Sequence, residues 1–155
     1  MKKILSIFII FLLSVNCVFA KQAKEINYYL KFDGSKYRLL FSAKNKEQGG
    51  FLNEYFKRGE SYNIWTDMVA IHQFPNVYSP IDQVKSFQAY LDSKKCPSAI
   101  SYNEKKNIAV IDFIMIDTSR LPIVLEFNVF KFQKSEDCGS VAFQYAKRYT
   151  ATTAM

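Results

Sequence analysis

His72 is the only histidine in a chain of 155 residues, and it stands in ESYNIWTDMVAIHQFP, residues 60–75, with the only tryptophan, Trp65. An imidazole, with an unperturbed pKa near 6.5, is the natural general base at neutral pH. It needs a partner to do chemistry. Asp67 is the acid within reach in sequence, but it lies five residues away, and on a strand an odd spacing puts two side chains on opposite faces. No Gly-x-Ser-x-Gly elbow presents a nucleophile. No glycine-rich loop is built to cradle phosphate, since Gly49-Gly50 is only a pair. One histidine cannot make a histidine-rich metal site, and the oxygen-bearing residues lack ligand-loop spacing. These residues therefore predict a structural His72, no catalytic set, no metal and no cofactor.

Asp112 interrupts the apolar run IAVIDFIMI. A carboxylate buried without a partner is costly, so it must reach an edge, a hydrogen-bond donor or a base such as Arg38, Arg120 or Arg148. Its sharper reading is a polar anchor in a ligand pocket. Trp65 reads as a core or rim aromatic, with an interface hot spot as the alternative. Trp65, His72 and Asp112 are thus the candidate binding residues.

The N-terminus has the layout of a secretory signal peptide: Lys2-Lys3, an apolar run over Ile4–Leu13, and Val18-Phe19-Ala20 before the predicted cleavage. Two other readings are a retained anchor and a lipoprotein acylated on Cys17. Cleavage after Ala20 leaves residues 21–155 as one globular domain, with no second stretch long enough to cross a membrane. Two cysteines then remain, Cys96 and Cys138, and an even count in an exported chain predicts one disulfide. Loss of Lys2 and Lys3 takes the formal charge from +7 to +5, spread over scattered basic pairs. Such pairs suit a solvated surface, or attraction to an anionic membrane surface. No pair adjoins an aromatic stacking platform, which argues against nucleic acid.

Elements to position these residues follow from the pattern. Asp33-Gly34 between the aromatic runs 28–32 and 37–41 predicts a hairpin. Ser61 can cap one helical turn over Tyr62–Trp65, before a strand Met68–Phe74. Ser79-Pro80-Ile81-Asp82 is a helix start, and Ile81, Val84, Phe87 and Leu91 form one apolar stripe. A second hairpin joins Ala99–Tyr102 to Ile108–Ile116, and further strands begin at Ile123 and Val141, the last equally readable as a short helix. Hairpins around a single good helix predict an α+β fold: an antiparallel sheet with one main helix, about 80–95, packed on one face.

GESYNIWTDMVAIHQFP, followed by a helix and then CPSAISYN, resembles a set of small exported bacterial proteins of unknown function. Those share a Gly-Glu-Ser turn, a Trp-Thr pair, a strand, a helix and a Cys-Pro, in that order. The resemblance covers about residues 55–150. It implies a compact α+β envelope protein and transfers no catalytic residue.

The function expected is a non-catalytic binding or interaction protein of the bacterial cell envelope, periplasmic or secreted, with an envelope protein as partner. The alternatives are a small hydrolase-like enzyme in which His72 meets Asp67, Asp112 or Glu126, and a basic domain on anionic membrane surfaces.

Overall fold

A computed structural model describes residues 28–44, 50–119, 121–136 and 139–151. Eight strands form one antiparallel sheet: β1 (Tyr29–Phe32), β2 (Ser35–Lys44), β3 (Phe51–Lys57), β4 (Asp67–Phe74), β5 (Ser98–Asn103), β6 (Ile108–Asp117), β7 (Ile123–Ser135) and β8 (Gly139–Ala151). The single α-helix among the described residues, α1 (Pro80–Ser93), links β4 to β5. The spatial order is β1-β2-β3-β4-β8-β7-β6-β5. Two four-stranded meanders therefore meet where β4 pairs with β8.

This corrects the α+β expectation. Strand accounts for 61% of the described residues against 15% helix, so the fold is largely β. Two segments depart from the helical alternatives expected of them. Gly139–Ala151 is one long strand rather than a short helix, although Ala142 and Ala146 are weak strand formers. Residues 62–65 do not form a helical turn; Ser61 and Ile64 exchange backbone hydrogen bonds at 3.0 and 3.2 Å.

The local signals behave as their chemistry requires. Asp33 and Gly34 both take positive φ, 46° and 72°, at the tight turn that pairs Phe32 with Ser35. Ser79 Oγ accepts from the Asp82 N–H, and Pro80 opens α1. The stripe of α1 packs on β6, β7 and β8: Val84 and Leu91 are buried against Ile111, Phe130 and Ala142, with Ile81 and Phe87 at the margins. Burying each of these two aliphatic side chains contributes about 1.5–3 kcal/mol.

The opposite face is covered by the chain's own first hairpin. Phe32 on β1 lies 5.3 Å from Phe143 and 5.5 Å from Tyr145, both on β8, which stands four places along the sheet. The sheet must roll for this contact to form. A register shift between Leu39 and Phe41 gives β2 the bend, as bulges do. Tyr37 of this hairpin is buried together with Tyr55 and Val69.

Cys138 lies outside the described residues, as do the leader-like residues 1–20. Cys96 carries a free thiol whose Sγ donates to the Ile114 carbonyl at 2.8 Å. The disulfide predicted from the cysteine count is tested by alkylating the unreduced, unfolded protein and weighing it by mass spectrometry: uptake by neither cysteine is the result expected of the link, and uptake by both would exclude it.

Candidate functional site

The connection between β3 and β4 builds one wall of a cleft. Gly59 turns the chain at φ 90°. Glu60 then ties the loop to itself, accepting from the Thr66 N–H at 2.9 Å, from Thr66 Oγ1 at 2.6 Å and from the Lys57 N–H at 3.2 Å. The Thr66 carbonyl accepts from the Arg148 N–H at 2.8 Å, which fastens the loop to β8. The Gly-Glu-Ser turn and the Trp-Thr pair thus have a positional role. They hold Tyr62, Asn63 and Trp65 over the half of the helix-bearing face that α1 leaves uncovered.

The cleft has a volume of about 360 Å³. Its aromatic side is Phe56, Tyr62 and Trp65; its polar side is Glu54, Glu126, Gln144 and Arg148. Trp65 is 8% exposed and packs edge-on to Phe56 at 5.8 Å. The Arg148 guanidinium lies 3.9 Å above its ring and donates from Nε and Nη2 to Glu126 Oε1 at 2.8 and 2.5 Å. That arrangement combines a cation–π contact with an ion pair. Glu54 projects from the middle of β3, half-buried, with neither a hydrogen bond nor an ion pair to another described residue. Burial raises its pKa, repulsion from Glu126 adds to this, and Arg148 opposes both.

Behind the cleft runs a buried polar relay. His72 Nε2 lies 2.8 Å from Gln144 Oε1, and Gln144 Nε2 donates to Asn128 Oδ1 at 2.9 Å. With the carboxamides in this orientation His72 Nε2 is the donor; turning both amides over would make it the acceptor and would engage Asn128 Nδ2, which is otherwise buried without a partner. Burial lowers the His72 pKa, and the bond to Gln144 partly opposes the shift. The imidazole also packs against Phe130 at 5.2 Å.

The candidates from sequence are not brought together. Asp67 is on the opposite face from His72, as its spacing requires. It accepts from Tyr145 at 2.6 Å and pairs with Lys57 at 2.9 Å. Burial works to raise the Asp67 pKa, but hydrogen bonds from Tyr145, Lys57 and Thr66 outweigh it and hold the carboxyl below its ordinary range. Asp112 is half-buried on that same far face, between Ala99 and Val129. It does not meet Arg148, and Arg120 lies outside the described residues. Of the candidate binding residues only Trp65 lines the cleft; His72 touches its lining through Gln144. Among the described residues no group of three or more His, Cys, Asp or Glu is placed to hold a metal ion.

A protein-family model matches residues 24–155. The chain belongs to that family, a family of uncharacterised proteins. No curated protein and no solved structure matches it. The matched span of this family member includes every residue of the cleft.

Sequence reasoning missed Glu54, Gln144 and Asn128. Each is a polar residue in a run of strand formers, FLNEYF, VAFQY and EFNVF. Such interruptions ordinarily read as a solvated face. The signal available was that their strands carry apolar residues on both sides of the alternation, which leaves a polar side chain no wet face.

Proposed function

We propose that this family member is an exported protein of the bacterial cell envelope that binds a partner non-covalently through the cleft beside α1. Export rests on the signal-peptide layout of residues 1–20, and the family match begins past it, at residue 24. The observation that carries the binding role is the cleft itself: a rigid aromatic wall, tied down by Glu60, facing charged groups over a floor of paired strands. The same geometry speaks against the hydrolase alternative. His72 is hydrogen-bonded to a carboxamide, and the acids that might orient it face elsewhere or pair with a base. We further infer that the Gly-Glu-Ser turn and Trp-Thr pair mark the cleft wall across the family.

The test is a pull-down of the tagged protein, processed in its own host, from the cell envelope at low and moderate salt. Tyr62→Ala removes an exposed ring from the cleft wall, and Tyr102→Ala removes one from the distant strand β5. A partner kept by Tyr102→Ala and weakened about 10-fold or more by Tyr62→Ala fits a central aromatic contact. Equal recovery with both variants would overturn the cleft as the binding surface.

A further inference from the structure

We propose that the cleft takes an alkylammonium group, with the Glu54 carboxylate as its counter-ion and the exposed ring of Tyr62, seated on buried Phe56, as its aromatic wall. This rests on the reading of the cleft as a binding site. It follows from a comparison of the acids. Asp67 is balanced by Lys57, and Glu126 is balanced by Arg148. Glu54 is half-buried and has no such partner among the described residues. A carboxylate half withdrawn from water and left unpaired carries a desolvation cost, and an entering cation lowers it.

The surroundings select the sign of the ligand. Aromatic faces attract cations, and the molecule already uses one this way, seating the Arg148 guanidinium on Trp65. The ionised cleft groups are two carboxylates and one guanidinium, a local balance of −1. An anion would meet both carboxylates. It would find little help from Gln144, whose Nε2 is committed to Asn128 and whose Oε1 is committed to His72. The chain as a whole is basic, at +7, but charges beyond about 10 Å are screened at ordinary salt, so the local set decides. A volume of about 360 Å³ suits a lysine side chain or a short free amine better than a bulky ligand.

Trp65 supplies the readout, because the only tryptophan in the chain lines the cleft. Cadaverine and a blocked lysine peptide, acetyl-Gly-Lys-Gly-amide, are titrated into the full processed protein at neutral pH, with sodium propionate as the anionic control. A saturable fluorescence change with either amine, and none with propionate, is the expected result. Binding of the peptide alone would name a lysine of a partner protein as the source; binding of cadaverine alone would name a free amine. Glu54→Gln is expected to weaken the amine at least 10-fold. Should that variant fold poorly, the wild-type protein gives the same test by pH. The groups facing Glu54 are Glu126 and Arg148, and binding is expected to weaken as pH falls and the raised Glu54 carboxyl takes up a proton. A flat titration with both amines, saturation by propionate, or unchanged affinity in Glu54→Gln would overturn the inference. If Tyr62→Ala loses the pulled-down partner while both amines are silent, the amine inference fails and the cleft reading stands.

Discussion

Phe56→Ala is expected to lower the unfolding free energy by about 3–5 kcal/mol, the range for deleting a buried ring. Phe56 is 1% exposed and lies between Trp65, at 5.8 Å, and Tyr62, at 6.1 Å, over Met68, Ala70 and Ala146. The floor beneath it is strand backbone held by ladders on both sides, and Glu60 clamps the loop above, so the space cannot readily collapse. Denaturant unfolding checks the value, and the midpoint should fall with little change in slope. A loss below about 1 kcal/mol would mean that the cleft wall is not seated on Phe56. Phe56→Leu, which keeps most of the apolar volume, should recover a large part of the loss.

Gly139→Ala is expected to cost about 4 kcal/mol or more, enough to unfold a protein of ordinary stability. Two effects combine there. Gly139 has φ 74°, where a Cβ costs about 1–2 kcal/mol. A Cβ at that position would also stand 2.5 Å from the backbone oxygens of both Phe74 and Pro75, neither of which can rotate away. Gly34 separates the two effects. Its φ is 72°, yet a Cβ there meets nothing within 4 Å, so Gly34→Ala should cost only the conformational part. Thermal unfolding of the two variants side by side gives the comparison. Equal losses would show that the close approach of β8 to the end of β4 is not rigid.

Much of the local structure was legible in the residues. Ser79-Pro80 and the stripe from Ile81 to Leu91 announced α1, Asp33-Gly34 announced a hairpin, and the spacing of Asp67 and His72 placed them on opposite faces. These features depend on neighbours in sequence. The fold class was not legible, because the length of β8 depends on ladders to β4 and β7 rather than on its own alanines. The cleft was not legible either. Glu54 comes from β3, Tyr62 and Trp65 from a loop, Glu126 from β7 and Arg148 from β8, and only pairing over long sequence separations assembles them. Trp65 was singled out for being unique, and it lines the cleft. His72 and Asp112 were singled out for their chemistry, and the fold uses them elsewhere.

The place of β8 bears on how the chain can reach this state. The last of the described strands in chain order is inserted at the centre of the sheet, between β4 and β7. Until it arrives, the first meander has an open edge along β4, and the second has one along β7. Closure must bring Asp67 to Lys147 and Phe74 to Ser140, pairs that span more than a third of the chain. Contacts so far apart make folding slow and leave unpaired edges exposed in the meantime. The two halves thus wait on β8, and a chain halted before Gly139 has two sticky edges in place of a closed sheet.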